Sequence, residues 1–136
     1  MIKAIIFDLD NCLLDTRSLK KEIIKPIVAP LLSSGFDNTH VREIIEALWV
    51  DNLEHVIPKY RITSEIADKM REAYRNLHVS EELKTYGDEK EITNLPGKKY
   101  LVTTGYRIFQ EEKIKKTGLG KYFDEVIIDA LDSPSE

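Results

Sequence analysis

Two aspartates, Asp8 and Asp10, follow the first apolar segment of the chain. Carboxylates two residues apart repel one another unless a cation or a proton intervenes. Mg²⁺ suits such a pair, because it prefers oxygen ligands, needs only one or two protein carboxylates and completes its shell with water and substrate phosphate. A carboxylate beside this cation can attack phosphorus, while a second carboxyl protonates the leaving oxygen and later deprotonates water. The pair indicates phosphoryl-transfer chemistry, and the alternative is a solvated turn or a helix cap.

Three short apolar segments predict the strands that would position these acids. Residues 4–7 are all apolar, include two β-branched isoleucines and lack the alternation of a one-sided strand, which favours a parallel strand buried on both faces. Residues 100–104 and 126–129 are of the same kind, and the segment 106–117 between them has the length of a helix that ends at Gly118. Strand, helix, strand is the crossover unit of an α/β fold, whose ligand sites lie at the carboxyl ends of the strands.

The region between the first two apolar segments has a helical pattern instead. Apolar residues at helical spacing predict one helix near residues 41–49 and another near residues 66–77. Pro26 and Pro30 predict a kink, or two short pieces, within residues 19–32, because proline in a helix interior removes a hydrogen bond and clashes with the preceding turn.

These elements together predict an α/β fold with a parallel sheet. We expect a core of residues 1–16 and 85–136, interrupted after its first strand by an α-helical insert of residues 17–84. The length of 136 residues suits one domain with a small insertion. With 42% hydrophobic and 32% charged residues, the composition is that of a globular protein and not of a disordered one.

Charge and cysteine content exclude several classes of partner. The 20 basic and 24 acidic side chains give a net charge of -4, so we expect no binding to nucleic acid and none to an anionic membrane. No apolar run approaches the roughly 18 residues of a membrane span, and the first residues do not resemble a signal peptide. Cys12 is the single cysteine, which excludes an internal disulfide and favours the cytoplasm as the compartment.

The segment from Asp8 to Thr16, Asp-Leu-Asp-Asn-Cys-Leu-Leu-Asp-Thr, resembles motif I of the haloacid dehalogenase-like (HAD) hydrolase superfamily. The common form has Gly-Thr or Asn-Thr at the positions of Asn11 and Cys12, and the Asn-Cys form is similar to that of pyrimidine 5′-nucleotidase-like members. The resemblance implies a Rossmann-like three-layer core. It also implies that Asp8 is the nucleophile and a Mg²⁺ ligand, and that Asp10 is the general acid/base and binds the metal through its backbone carbonyl.

A second segment, residues 99–105, resembles motif II of the same superfamily. The resemblance implies that the hydroxyl of Thr103 binds the transferring phosphoryl group, with the backbone N–H groups of Thr104 and Gly105 nearby. Thr104 stands where the family more often has Asn. The insert resembles the helical cap of capped phosphatases in its position and helical content, and residues 117–127 are similar to the stretch before the third core strand.

Two further family elements normally follow the third strand: a lysine that neutralises the nucleophile and the phosphate, and an acidic pair that holds Mg²⁺. The sequence ends at Glu136, near where that lysine is expected. We therefore expect a partial HAD-like phosphatase that lacks part of its core. Its first strand would be an exposed apolar edge that favours self-association, and the isolated chain would have little turnover.

Other charged residues are weaker candidates. Asp129 and Asp132 could act as substitute metal ligands, but they follow the third strand and not the fourth. Lys113, Lys115 and Lys116 are expected near a helix C-terminus, where they offset the macrodipole and face water.

The favoured function is a Mg²⁺-dependent phosphatase that hydrolyses a small phosphomonoester through an aspartyl-phosphate. Its expected partner is a small phosphorylated metabolite, and the Asn-Cys form of motif I favours a nucleoside monophosphate. The alternative is a non-catalytic or truncated HAD-like interaction protein, since two family motifs are missing. A receiver-type phosphoacceptor module is disfavoured, because its acceptor aspartate lies on the third strand.

Overall fold

The structure is a computed structural model that describes residues 1–19 and 21–132. Of the predicted core, residues 133–136 lie outside the described residues, as does Lys20 of the predicted insert. The chain divides into two compact units, Met1–Leu19 with His78–Glu136, and Lys20–Leu77. The second unit interrupts the first in sequence, and the predicted insert of residues 17–84 extends a few residues beyond it at both ends.

The strands and helices alternate in the first unit, whereas the second is helical. The strands are β1 (Ala4–Phe7), β2 (Lys98–Gly105) and β3 (Glu125–Ala130). The α-helices of the described residues are α1 (Lys25–Ser33), α2 (Asn38–Leu48), α3 (Leu53–Lys59), α4 (Ser64–Arg75) and α5 (Arg107–Thr117). Short 3-10 helices cover Thr16–Ser18, Lys21–Ile24, Glu89–Asn94 and Leu119–Tyr122.

The three strands form one parallel sheet in the order β1-β2-β3. Phe7 of β1 lies beside Leu101 of β2, which lies beside Val126 of β3. The helix α5 connects β2 to β3 and ends at Gly118, whose φ of 67° is the left-handed conformation that glycine adopts without strain. The predicted α/β fold with a parallel sheet is confirmed.

The core of the first unit lies on one face of this sheet. Side chains from the end of β1, from β2 and from the 3-10 helices form a buried cluster, whose members are Leu9, Leu13, Leu14, Ile92, Leu101 and Leu119. Ile114 of α5 packs against the cluster, as does Phe7, whose ring meets Phe123 edge-on with centroids 5.6 Å apart. Burial of this apolar surface helps to hold α5 against β2 and β3.

The other face of the sheet is less covered, which corrects the prediction that β1 is buried on both faces. Ile6 is 70% exposed and Ile127 of β3 is 41% exposed. Successive side chains of a strand point to opposite faces, so the cluster that Phe7 packs against leaves Ile6 uncovered. Among the described residues β2 is the sole strand partner of β1, so β1 is an edge strand, as the sequence predicted.

The second unit is a group of helices in which α1 packs against α2 and α4. The 3-10 helix Lys21–Ile24 leads directly into α1, where Pro26 lies in the first turn. The segment is thus in two pieces, one of the two predicted outcomes, but Pro30 lies inside α1 and does not interrupt it. The carboxylate of Asp37 caps α2 by accepting from Thr39 N and His40 N at 2.9 and 3.0 Å.

Membrane insertion has no support from the helices of residues 1–19 and 21–132, since none of them combines the length with the apolar character that a bilayer crossing requires.

Candidate active site

The turn that follows β1 is organised around the backbone carbonyl of Leu9. This oxygen accepts from the N–H groups of Cys12, Leu13 and Leu14 at 3.3, 3.1 and 3.0 Å. Leu9 itself is fully buried between the two aspartates. These hydrogen bonds fix the path of the chain as it leaves the sheet. They therefore also fix the position of the Asp10 backbone.

Asn11 has a φ of 56°, which is the left-handed region of backbone conformation. Residues with a Cβ rarely adopt this conformation, but asparagine tolerates it and glycine adopts it freely. This explains in physical terms why the position after the second aspartate favours Gly or Asn, the two residues of the motif that this segment resembles.

Asp8 lies at the carboxyl end of β1 with its side chain exposed. Its Oδ1 accepts a hydrogen bond from Leu9 N at 2.8 Å. This single backbone donor orients the carboxylate without burying it. A carboxylate held this way stays accessible to a ligand or a cation.

Asp10 has a different environment, because donors surround its carboxylate. Lys113 Nζ donates to Oδ1 and Oδ2 at 2.7 and 2.9 Å, Thr16 Oγ1 donates to Oδ1 at 2.6 Å, and Gln110 Nε2 donates to Oδ2 at 3.1 Å. Burial by itself would raise the pKa of Asp10, but the charge of Lys113 and the hydrogen bonds from these three residues outweigh burial, and the pKa is lowered. The structure therefore favours an ionised Asp10.

Lys113 corrects the prediction that it faces water. Its side chain is only 3% exposed, its ammonium pairs with Asp10, and it lies 4.5 Å from the ring centroid of Phe109. Burial lowers the pKa of this lysine, with Asp10 and Asp8 opposing the change. Lys115 and Lys116 are exposed near the end of α5, as predicted.

Thr103 and Gln110 link β2 to this cluster. Thr103 is 2% exposed, and its hydroxyl accepts from Gln110 Nε2 at 3.2 Å. The same nitrogen donates to the carbonyl of Thr104 at 2.9 Å and to Asp10, so the ends of β1 and β2 share one amide. Thr103 and Asp10 thus share one hydrogen-bond donor, Gln110 Nε2. Sequence reasoning missed both Gln110 and Lys113.

Gly105 makes room for that amide. A Cβ on this residue would lie 2.5 Å from Nε2 of Gln110, which is closer than a Cβ approaches a non-bonded atom, and a tight 3.0 Å from its Cδ. A side chain at the end of β2 would therefore compete for the space from which the Gln110 amide reaches Asp10. The part that Gly105 and Thr104 play in phosphate binding stays a prediction.

The remaining acidic candidates, Asp129 and Asp132, each accept a hydrogen bond from a neighbouring residue. Thr104 Oγ1 donates to Asp129 Oδ2 at 3.3 Å, and Asp132 Oδ1 accepts from Arg107 N at 3.0 Å in the first turn of α5. Neither aspartate joins Asp8 or Asp10 in a metal cluster, since residues 1–19 and 21–132 contain no group of three or more His, Cys, Asp or Glu side chains that could hold a metal ion.

The oxygens at the end of β1 nevertheless suit a Mg²⁺ ion that retains most of its water ligands when it binds. The Asp8 carboxylate is exposed and accepts from one backbone donor, whereas the Asp10 carboxylate is committed to Lys113, Thr16 and Gln110. Mg²⁺ needs only one or two protein oxygens in addition to water and phosphate. The donors that could hold it are the carboxylate of Asp8 and the backbone carbonyl of Asp10.

Comparison with solved structures supports the fold. The chain is similar to a predicted phosphatase from Clostridium acetobutylicum (TM-score 0.69, 19% identity, 96% of this chain and 62% of that one). It is also similar to a haloacid dehalogenase-like family hydrolase from Streptococcus pneumoniae (TM-score 0.68, 18% identity, 98% and 64%). A protein from Clostridium difficile that is provisionally named a phosphatase gives a TM-score of 0.62 at 23% identity, over 96% of this chain and 62% of that one. The chain thus spans less than two thirds of the length of these three proteins.

Comparison of sequences identifies the family. No protein with a curated function matches the chain in sequence. The model of the family described as haloacid dehalogenase-like hydrolase matches residues 5–132, which include both strand ends, Asp8, Asp10 and Thr103. The chain therefore belongs to the haloacid dehalogenase-like hydrolase family.

Proposed function

We propose that this protein is a Mg²⁺-dependent phosphatase that hydrolyses a small phosphomonoester through an aspartyl-phosphate on Asp8. The observation that supports the proposal is the junction of two strand ends through one amide: Gln110 Nε2 lies 3.1 Å from Asp10 Oδ2 and 3.2 Å from Thr103 Oγ1. Asp8 lies two residues before Asp10, so a nucleophile, an acid/base and a hydroxyl donor belong to neighbouring ends of a parallel sheet.

Asp8 is the nucleophile in this proposal. One oxygen of its carboxylate attacks phosphorus, a new P–O bond forms, and the bond from phosphorus to the leaving oxygen breaks. The exposure of Asp8 and its single orienting hydrogen bond from Leu9 N suit this step, because an attacking carboxylate must be accessible and held in line.

Asp10 is the general acid/base. Asp10, ionised in the free site, must carry a proton when the leaving oxygen departs: it gives that proton to the oxygen in the first step and regains one from the attacking water in the second, when the water oxygen bonds to phosphorus and the bond from phosphorus to Asp8 breaks. The lowered pKa of Asp10 keeps the group ionised after this proton is given up, so a carboxylate is present to accept one in the second step. Thr16, Gln110 and Lys113 hold this carboxylate in one orientation.

Thr103 is the phosphate-binding hydroxyl. Gln110 donates to its oxygen, so the hydrogen of the hydroxyl can be donated to a phosphoryl oxygen. Phosphoryl transfer depends mainly on positioning and on neutralisation of charge, and a rigid donor at a strand end supplies positioning. We assign the backbone N–H groups of Thr104 and Gly105 to the same phosphoryl group.

Mg²⁺, when bound by the Asp8 carboxylate and the Asp10 carbonyl, would neutralise charge on the phosphoryl oxygens and on the nucleophile. Its presence would also relieve the repulsion between an anionic substrate and the two aspartates, which Lys113 relieves only in part.

The proposed substrate is a small phosphorylated metabolite, with a nucleoside monophosphate as the first candidate, and the proposed compartment is the cytoplasm. We also propose that the protein self-associates through the free edge of β1, where Ile6 is exposed.

Hydrolysis of p-nitrophenyl phosphate and of a panel of nucleoside monophosphates by the full-length protein tests the proposal. We expect activity that requires Mg²⁺ and is abolished in Asp8→Asn, because an amide is not a nucleophile of this kind. Asp88→Asn is the matched control, since it makes the same change at an exposed position outside the site, and it should keep wild-type activity.

The phosphoenzyme gives a second measurement. Acid quenching during turnover should trap a covalent phosphate on wild-type protein and none on Asp8→Asn. A folded wild-type protein that hydrolyses none of these substrates with Mg²⁺ would contradict the proposal and would favour a non-catalytic interaction protein.

A further inference from the structure

Gln110 is a buried amide that the reaction above does not use directly. It is only 3% exposed and lies in the first turns of α5, immediately after β2. Helical side chains tilt towards the N-terminus of their helix, so a residue in this position points back towards the end of β2. Its place in the fold therefore directs it at Thr103, Thr104 and, across the sheet, Asp10.

The orientation of this amide is fixed by chemistry. Nε2 faces three acceptors, which are Asp10 Oδ2 at 3.1 Å, Thr103 Oγ1 at 3.2 Å and the Thr104 carbonyl at 2.9 Å. The two N–H bonds are shared among these three oxygens. A flipped amide would place its own oxygen against the Asp10 carboxylate and the Thr104 carbonyl, neither of which can donate, and burial would make this costly, so the amino group faces Asp10.

The backbone confirms that this arrangement constrains the sequence. A Cβ on Gly105 would collide with Nε2 of Gln110, so β2 ends in the one residue that lets the amide approach. Thr16 and Lys113 also hold Asp10, but in the part of the chain that the structure describes neither makes a hydrogen bond with Thr103. Gln110 is thus the residue of the described cluster that contacts both the acid/base and the hydroxyl.

We propose that Gln110 is a positioning residue that sets the relative placement of Asp10 and Thr103, an inference that rests on the proposed phosphatase function. Gln110 touches neither the reacting phosphorus nor the leaving group. It acts through Asp10, whose carboxyl must meet the leaving oxygen while Thr103 holds a phosphoryl oxygen. A misplaced acid/base costs rate even when the nucleophile is intact.

The dependence of rate on the leaving group separates positioning from folding. Departure of an alkyl alcohol requires a proton from Asp10, whereas p-nitrophenolate is a weak base that leaves with little help. Because kcat/KM reports the steps up to departure of the leaving group, a displaced Asp10 slows the alkyl ester selectively. A loss of folded protein lowers kcat/KM for both substrates in the same proportion.

The experiment compares wild type, Gln110→Met and Gln110→Glu of the full-length protein on an alkyl phosphomonoester and on p-nitrophenyl phosphate. Gln110→Met keeps the size of the side chain and removes the donor, and Gln110→Glu replaces the donor nitrogen by oxygen if the methionine variant does not fold. We expect kcat/KM for the alkyl ester to fall about tenfold further than for the aryl ester, a part of the ~10² to 10⁴ that acid/base catalysis supplies.

Two comparisons complete the test. Lys115→Met places methionine at an exposed position of the same helix, and it should leave kcat/KM unchanged for both substrates. In an Asp10→Asn background, Gln110→Met should no longer alter the ratio between the two substrates, because the group it positions is gone.

The outcomes are distinguishable. If wild type hydrolyses both esters and a folded Gln110 variant lowers both values in equal proportion, the positioning role is wrong and the proposed function stands. If wild type hydrolyses neither ester, the proposed function fails and the inference fails with it. Selective loss on the alkyl ester supports both.

Discussion

Lys113 Nζ lies 2.7 Å from Oδ1 and 2.9 Å from Oδ2 of Asp10, which joins the end of β1 to the middle of α5 by a two-pronged ion pair. The lysine side chain is 3% exposed and the aspartate side chain 27% exposed. In so enclosed a pair, loss of one charge leaves the other without compensation, whereas loss of both charges is much less costly. The pair is therefore part of what stabilises the first unit as well as part of the site.

Replacement of Lys113 by methionine should destabilise the protein substantially. We expect Lys113→Met to lower the free energy of unfolding by about 3 kcal/mol, because Asp10 loses its counter-ion. Urea unfolding followed by circular dichroism measures the loss. The double variant Asp10→Asn/Lys113→Met should recover much of it, and equal stabilities of Lys113→Met and the exposed control Lys115→Met would show that the ion pair has no such role.

A pH-dependent contribution is expected from His40 in α2. The hydrogen bond and the charge of Asp37 raise the pKa of His40 above its ordinary value of 6.5, so the folded protein binds this proton more tightly than the unfolded chain does. The stabilisation is complete below pH 6.5 and is lost as the pH rises through the raised pKa. His40→Gln should therefore reduce the free energy of unfolding more at pH 6 than at pH 9, which urea titrations at both values measure.

The matched control for His40 is Asp37→Asn. Asparagine keeps the cap of α2 and removes the charge that raises the pKa of His40. In that background the effect of His40→Gln should differ much less between the two pH values, because only the charge of Glu43 still raises the pKa of His40. If His40→Gln lowers the free energy of unfolding equally at both pH values while Asp37 is present, the ion pair is not the source of the loss.

Substitution of Gly105 by alanine should disturb the site from the backbone side. The new Cβ would lie 2.5 Å from Nε2 of Gln110, and the buried amide has to give up its acceptors to move. We expect Gly105→Ala to destabilise the protein by about 1 to 3 kcal/mol, the range of overpacked interior positions. Thermal and urea unfolding measure this, with Gly120→Ala as control, since its Cβ would lie at an ordinary 3.6 Å from Ile114. A cost no larger than that of Gly120→Ala would mean that Gln110 moves aside freely.

The edge of β1 should mediate the proposed self-association. Ile6 is 70% exposed on a strand whose other side is unpaired among the described residues, and a lysine there would oppose pairing with a second strand. Sedimentation velocity across a concentration series should show association in wild type and less of it in Ile6→Lys. Leu32→Lys, at an exposed position of α1, is the control; association that Ile6→Lys leaves unchanged would place the contact elsewhere.

The strands and α5 could be predicted from sequence because their signals are local. Short β-branched runs bounded by glycine and proline mark β2, and Gly118 marks the end of α5 through its backbone conformation. The helix α3 was not predicted, because it has only seven residues, contains Pro58 and is too short to display a long apolar stripe. The exposure of Ile6 depends on which face of the sheet is covered by the rest of the fold. The residues of β1 alone do not show this.

The polar part of the site was only half predictable. Asp8, Asp10 and Thr103 follow apolar strands, and such strand ends are where α/β sheets place chemistry. Lys113 and Gln110 lie in a helix of mixed charge, where a lysine near the C-terminus is ordinarily solvated. Their one sequence signal is spacing: Lys113 lies three residues after Gln110 and four after Phe109, on the stripe of α5 that the structure buries.

Leu9, fully buried between two acids, has a consequence for the alignment of the whole site. Side chains near a strand end alternate between faces, so a shift of this segment by one residue would expel Leu9 into water and force both carboxylates into the apolar cluster. Such a slip would cost free energy both by exposing apolar surface and by burying charge. Burial of Leu9 therefore fixes the register that places the two aspartates.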